Sequence, residues 1–430
     1  MGTKYDYNYI ILGAHPASYT LGLALAKAGK RLAIVENPTT SYIDCGSFDI
    51  ARNVGLDFSH NYYNLLTDPA VHGQPVHCNL PTLIAEEDRL FIATKSSYAK
   101  QLTEQGVDLL NGHTHFLDDH TIAIGSNQRT ANGFIIATSA SLKTTEISGL
   151  DRVNYLTPDT AFRIRRLPEC ALVVGGGPTG VEIATFYAEL GTKVIIMERA
   201  TRLLPKEDKE VSDAVHRHFT EDLNITVLTG SRLVALNQDA TSSVAIFTSK
   251  TQEKMVRIDC IALATGSTPN IENLGLDNAG VKYKRTGILV DKYLASSAKN
   301  IFCLGDATST EDSSPERTLA EAEVLMSNLT GKVKTTANHR TSARIIRTNP
   351  EIAIVGLNER DLLARDLKAK RTRLDLAAFP RLHATGFAKL LTDHTDHLLG
   401  ASIVSPSASA LSYTFSLALS RHLSSIDNIL

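Results

Sequence analysis

The residues from Ala171 to Arg199, ALVVGGGPTGVEIATFYAELGTKVIIMER, constrain the fold more than any other stretch of the chain. An apolar run that reads as a strand passes into Gly175-x-Gly177-x-x-Gly180, then into a helical pattern and a second apolar strand. In such a unit Gly175 permits the tight turn, Gly177 lets backbone approach a pyrophosphate, and Gly180 lets the helix pack closely on the strand. Pro178 and Thr179 open the helix, whose N-terminus faces the phosphates. Glu198 ends the second strand 23 residues after Gly175, where a carboxylate accepts hydrogen bonds from an adenosine ribose. A glycine triad alone is a weak signal; strand, glycines, helix, strand and acid in register form a strong one.

The N-terminal segment repeats this plan. Shifting it by 162 residues superposes Gly13 on Gly175, Ser18 on Gly180, Gly29 on Gly191 and Glu36 on Glu198 without a gap, an internal duplication of the unit. The first loop reads GAHPAS, so His15 stands where the second glycine belongs and brings a Cβ and an imidazole into the space used for phosphate approach. Ser18 is a milder change, still small enough for helix–strand contact. Gly13, His15, Ala17 and Ser18 are the candidate phosphate-loop residues of this unit, with Glu36 and Asn37 at its ribose end. The competing reading is a βαβ unit that has lost its ligand.

Composition limits what else the chain can be. Its 430 residues are 43% hydrophobic and 21% charged, enough apolar material for two or three cores. A net charge of −2, from 44 basic and 46 acidic side chains spread along the chain, leaves no electrostatic footprint for nucleic acid or an anionic membrane. The opening MGTKYDYNYIILGAHPAS has too short an apolar run for a signal peptide, and no later stretch approaches the roughly 18 apolar residues of a spanning helix. A cytoplasmic protein is expected, with small neutral or anionic ligands as its partners. Cys45, Cys78, Cys170, Cys260 and Cys303 form no CxxC or CxxxxC pair, and most read as buried small hydrophobes. His113 and His115, like His394 and His397, read as strand ends and turns, so no metal site is expected. The charged run Lys206-Glu-Asp-Lys-Glu210 reads as the start of a solvated helix.

Two dinucleotide units about 160 residues apart resemble the flavin-dependent pyridine nucleotide-disulfide oxidoreductases, a family that includes glutathione reductase, lipoamide dehydrogenase and mercuric reductase. Phe134-Ile-Ile-Ala-Thr-Ser139 resembles the family's first strand-then-ATG segment, with Ser139 in place of its glycine beside Thr138; Ala264-Thr-Gly-Ser-Thr-Pro-Asn270, with Gly266, matches the second. Ile301-Phe-Cys-Leu-Gly-Asp-Ala307 is similar to the segment whose aspartate holds the flavin ribityl chain, which makes Gly305 and Asp306 candidate FAD contacts. Asn349-Pro-Glu-Ile-Ala-Ile-Val-Gly356 and Phe379-Pro-Arg-Leu-His-Ala-Thr-Gly-Phe-Ala-Lys389 resemble the C-terminal interface domain, which implies a homodimer.

The resemblance implies that the first unit binds FAD, with Glu36 on its ribose, and that the second binds the nicotinamide cofactor. Glu198 argues for NADH, because a carboxylate repels the 2′-phosphate of NADPH; Arg199 and Arg202 stand close enough to keep NADPH open. Glu182 falls where relatives carry a glutamate near the flavin, its alternative being a solvated first-turn residue. The implied fold is α/β, with two Rossmann-like dinucleotide-binding domains, for FAD and NAD(P), and a C-terminal α+β dimerisation domain. The expected boundaries are 1–150 for the first part of the FAD domain, 151–270 for the NAD(P) domain, 271–335 for the returning FAD and central part, and 336–430 for the interface domain.

Disulfide reductases of the family pass electrons to a CxxxxC pair soon after the first ribose-binding acid and use a C-terminal His-Glu pair. Here Cys45 is alone, with Thr40 and Ile50 at the partner positions, and no glutamate follows His422 in SRHLSSIDNIL. The leading expectation is an FAD-dependent NAD(P)H oxidoreductase that moves hydride from the nicotinamide to flavin and on to a small non-disulfide acceptor: a quinone, metal ion, dye or dioxygen. A second reading starts from Ser41-Tyr42-x-x-Cys45-Gly46, which resembles the single-cysteine NADH peroxidases, NADH oxidases and coenzyme A-disulfide reductases; Cys45 is then catalytic and His15 a candidate acid–base group. A third is a non-catalytic nucleotide-binding sensor or scaffold.

Overall fold

The computed structural model describes residues 5–37, 45–68, 78–143, 147–238, 243–249, 252–309, 314–331, 334–338, 341–379 and 384–423. The side chain of Cys45 lies outside the described residues. Two compact units emerge, one made of Met1–Ile50, Asp88–Ser141 and Ser267–His339, the other of Ala51–Glu87, Leu142–Gly266 and Arg340–Leu430.

The first unit is built on a sheet in the order Asp108–Asn111, Leu32–Glu36, Tyr7–Leu12, Asn127–Ile136, Thr121–Ile124, Thr114–Phe116, with Ile301–Cys303 also pairing with Asn127–Ile136. Its first four strands and Ile301–Cys303 run parallel; the remaining two are an antiparallel extension. Ile10, Ile11 and Leu12 are all 1% exposed or less, as a central parallel strand covered on both faces requires. The helix Pro16–Lys27 buries Ala17, Ser18, Leu21, Gly22 and Leu25, one face at helical spacing, in the core with Ile11, Ile34 and Ile135. Phe116 and Phe134 meet edge-to-face at 4.9 Å in the other core layer.

The second unit repeats the parallel design in a sheet ordered Thr226–Leu228, Lys193–Met197, Cys170–Val174, Cys260–Leu263. Between Thr226–Leu228 and Cys260–Leu263 the alternation of strand and helix breaks down. Ser231–Gln238, Ser243–Ser249 and Gln252–Ile258 form an antiparallel meander packed on the same core through Leu233, Leu236, Phe247 and Ile258. Farther along the chain an antiparallel sheet runs Arg344–Ile346, Glu351–Gly356, Leu398–Ser405, Phe387–Thr392, Lys370–Asp375. The helix Ala408–Ser420 covers it by burying Phe415, Ala418 and Leu419. No helix among the described residues is long and apolar enough to cross a membrane.

Candidate functional site

In each unit the residues singled out by sequence collect at the carboxyl ends of parallel strands, where the loops of such sheets bind ligands. In the first unit Leu12 pairs with Val35 and Ile136, and Ile136 with Cys303. Gly13, Glu36, Ala137 and Gly305 therefore leave the sheet along one edge. In the second, Val174 pairs with Met197 and Leu263, which aligns Gly175, Glu198 and Ala264 the same way.

The two glycine loops share their first turn and part at the third residue, where His15 has φ −154° and Gly177 φ −77°. Gly13 and Gly175 both adopt φ +115°, and a Cβ on either would lie 2.2 Å from a carbonyl oxygen, that of Ala137 or Ala264. The turn thus needs glycine for both its dihedral and its close approach. Pro16 and Pro178 each open a helix and lack an N–H, so the next two backbone N–H groups, of Ala17 and Ser18 or of Thr179 and Gly180, are the donors at each helix start.

The loops differ at two side chains. A Cβ on Gly180 would lie 1.8 Å from the Gly175 oxygen, whereas Ser18 carries its Cβ at the equivalent place and is fully buried; the first helix must therefore stand farther from its strand. A Cβ on Gly177 would meet nothing within 4 Å, which marks the open mouth of the second loop. At that place in the first loop His15 is only 8% exposed, and its Nε2 donates to the Ala137 oxygen at 3.0 Å. Burial holds the imidazole below its ordinary pKa, against the Ala137 hydrogen bond and the charge of Asp306, which act upward. The buried Ser18 Oγ and Thr138 Oγ1 have no hydrogen-bond partner among the described residues, so the loop and the adjacent strand end keep polar groups for a ligand. Both loops fit a dinucleotide pyrophosphate.

At the ribose end of the first unit, Glu36 and Asn37 close the strand Leu32–Glu36, and Glu36 accepts from Lys95 at 3.0 Å. Beside them a cavity of about 240 Å³ is lined by Ala14, Tyr19, Ile34, Lys95 and Leu110, apolar walls with one charged pair. Lys95, on the helix Leu80–Glu104, was invisible to motif reading because nothing local in the sequence ties it to Glu36. The Gly305-Asp306 turn has an equally unannounced anchor. Glu321, 1% exposed, accepts from the Gly305 N–H at 2.6 Å and from Arg317 Nε at 2.9 Å. Burial raises its pKa above the ordinary carboxylate value, with the Gly305 N–H and Arg317 opposing. The Arg317-x-x-x-Glu321 spacing was the available signal. Ser139 ties its segment back by accepting from Asn270 N–H at 2.9 Å.

In the second unit Glu198 follows the strand Lys193–Met197 and is held on both oxygens, by Gly176 N–H at 2.6 Å and Ala200 N–H at 2.7 Å. Arg202 turns back onto the carbonyls of Pro205 and Glu207, at 3.1 and 2.8 Å, while Arg199 is exposed. Gly266, at φ +95°, faces open space and its carbonyl accepts from Lys143 N–H. Glu182 is not a solvated first-turn residue. It is 1% exposed, accepts from Arg347 N–H at 2.9 Å and lies 3.9 Å from Arg52 Nη1. An ionised carboxylate so buried costs several kcal/mol unless paired, which is the reason for both contacts.

The charged run at 206–210 is likewise not a solvated helix start. Glu207 and Asp208 are 2% and 3% exposed, Glu207 bonded to Arg344 at 2.6 and 2.7 Å and Asp208 placed 3.3 Å from Lys389; the helix begins only at Lys209. Among the described cysteines only Cys303 is buried, Cys78, Cys170 and Cys260 being half-buried. Burial raises the thiol pKa at all of them, to about 11 for Cys260. None is poised as a thiolate. Cys45 is the first described residue of the helix Cys45–Thr67.

Comparison with known proteins agrees with this geometry. LpdA from Mycobacterium tuberculosis superposes with a TM-score of 0.85 over 97% of this chain and 94% of that one at 22% identity. RclA from Escherichia coli, an HOCl-induced flavoprotein disulfide reductase, does so with a TM-score of 0.82 over 96% and 93%. At that level of identity both speak for the fold alone. In sequence, mercuric reductase of Staphylococcus aureus is 29% identical over 96% of this chain and 77% of its own length, and dihydrolipoyl dehydrogenase of Chlorobaculum parvum 28% over 93% and 87%. Residues 342–428 match the family's dimerisation domain. Residues 7–328 match the pyridine nucleotide-disulphide oxidoreductases, and the chain belongs to that family of FAD- and NAD(P)H-using oxidoreductases.

Proposed function

We propose that the chain uses NADH to reduce FAD and passes the electrons to a small acceptor that is not a disulfide: a quinone, a metal ion, a dye or dioxygen. The observation that carries this reading is the cysteine inventory. Cys45 has Thr40 and Ile50 where a dithiol partner would stand, and each described cysteine elsewhere has its thiol pKa raised by burial. A single thiol cannot store two electrons as a local dithiol. Mercuric reductases among the relatives make a metal ion one of the acceptors to try.

FAD, when bound, supplies the hydride acceptor and the electron relay. The protein supplies position and charge. Gly13, Ala17 and Ser18 would hold the FAD pyrophosphate, Glu36 and Asn37 its ribose, and Thr138, Ser139, Gly305 and Asp306 the rest of its polar chain. Gly175, Gly177, Thr179 and Gly180 would hold the nicotinamide nucleotide, with Glu198 on its ribose. NADH is favoured because Glu198 is fixed as an acceptor by two N–H groups at the ribose end of the loop. Arg199, which is exposed, and Arg202, whose Nη1 has no hydrogen-bond partner among the described residues, are the residues that would meet a 2′-phosphate. Tyr413 and Leu417, 78% and 57% exposed on one face of the helix Ala408–Ser420, support a homodimer through the C-terminal domain.

The visible spectrum of the purified protein, followed by anaerobic NADH and then NADPH, tests the reading. Flavin bands that bleach with NADH at low concentration are expected; a protein that FAD cannot reconstitute would contradict it. A second reading, with Cys45 as a catalytic thiol, is favoured by one observation: Ser41-Tyr42-x-x-Cys45-Gly46 resembles the single-cysteine NADH oxidases and peroxidases. Loss of peroxide or coenzyme A-disulfide reduction in Cys45→Ser, with NADH–flavin reduction intact, is what it predicts.

A further inference from the structure

We propose that His15 makes flavin binding proton-linked: its imidazole takes up a proton as the FAD pyrophosphate settles on the first glycine loop, so FAD binds more tightly as the pH falls. The proposal rests on the assignment of FAD to the first unit.

The geometry comes from comparing the two loops. The loops share the turn at Gly13 and Gly175; at the position of Gly177, where the second loop is open, the first carries His15, its φ −154° against −77°. The imidazole is folded against the end of the strand Asn127–Ile136, with Nε2 on the Ala137 carbonyl at 3.0 Å. A carbonyl can only accept, so Nε2 carries the hydrogen and Nδ1 of the neutral ring is a bare acceptor. Nδ1 has no hydrogen-bond partner among the described residues. A lone pair beside a doubly negative pyrophosphate is repelled, whereas a protonated Nδ1 becomes a charge-assisted donor.

The surrounding charges decide when the switch occurs. Burial disfavours the charged ring in the protein alone. Asp306, from the turn Gly305–Ala307, favours the cation. Glu321, on the helix Pro315–Thr330, is held by Arg317 and Gly305 N–H, and Glu36, at the end of Leu32–Glu36, by Lys95. The first turn of Pro16–Lys27 has no acidic residue, and its N–H groups disfavour a cation. Protonation therefore waits for the two phosphate charges. The proton comes from solvent, and no bond is broken. Burial puts the pKa below the ordinary 6.5 in the protein alone, and the proposed linkage requires the phosphate charges to raise it in the complex. Between the two values binding takes up protons, and Kd rises with pH by up to about tenfold per unit.

The test titrates FAD into full-length apoprotein between pH 6 and 8, with flavin fluorescence for Kd. Calorimetry in two buffers of different ionisation enthalpy counts protons. Wild type should lose roughly tenfold or more in affinity across this range, with proton uptake approaching one per FAD; His15→Asn and His15→Gly should both be flat, with His15→Gly tight throughout. A flat wild type with no proton uptake overturns the proposal and leaves the FAD assignment standing, as does a slope that persists in both variants. If neither wild type nor His15→Gly binds FAD at any pH, the assignment falls and takes the proposal with it.

Discussion

Gly13 and Gly175 carry the same turn in two places, and a methyl group on either would strike a strand-end carbonyl while forcing an alanine to φ +115°. Strain of about 1–3 kcal/mol per site is expected. Gly175→Ala should raise the KM for the nicotinamide roughly tenfold or more with flavin content unchanged, and Gly13→Ala should lower flavin content instead; steady-state kinetics and the ratio of flavin to protein absorbance read the two effects apart. Glu198 makes a different prediction. Glu198→Gln keeps an oxygen for the Gly176 N–H but removes the charge, so kcat/KM for NADPH should rise relative to NADH by roughly tenfold. Equal discrimination in wild type and variant would show that coenzyme choice lies elsewhere.

Elements whose residues repeat a known physical task were legible in the sequence, and those defined by distant partners were not. The strands and helices around both loops follow from apolar runs, glycine spacing and the proline at each helix start. The antiparallel meander at 231–258 interrupts the strand–helix alternation of its unit, and no glycine-loop motif announces it. The run at 206–210 looked solvated by charge alone. Its burial depends on Lys389 and Arg344, more than 130 residues away, and no local pattern announces them. Lys389, 3% exposed at its side chain, lies 2.8 Å from Glu210, 3.1 Å from Glu359 and 3.3 Å from Asp208. Burial alone would lower its pKa, but the Glu210 hydrogen bond and the Asp208 charge win and raise it. Lys389→Met leaves these carboxylates without their shared cation and should cost about 3–5 kcal/mol in urea or thermal unfolding. A loss under about 1 kcal/mol would mean that the network is relaxed by water.

For the whole molecule, the dimerisation-domain match and the apolar face of the helix Ala408–Ser420 give a direct expectation. Light scattering after size-exclusion chromatography should report a dimer, and Tyr413→Asp with Leu417→Asp a monomer; a monomeric wild type would refute the assigned interface. The central claim concerns where electrons can rest in this chain. Disulfide reductases of the family hold one pair on the flavin and another on a dithiol, and here the positions five residues either side of Cys45 are Thr40 and Ile50. Anaerobic titration of the holoenzyme with dithionite, followed by absorbance, measures this capacity directly. Full flavin reduction at one two-electron equivalent per FAD is expected; a second equivalent taken up before the flavin bleaches would contradict direct transfer, and its loss in Cys45→Ser would place that capacity on the single thiol.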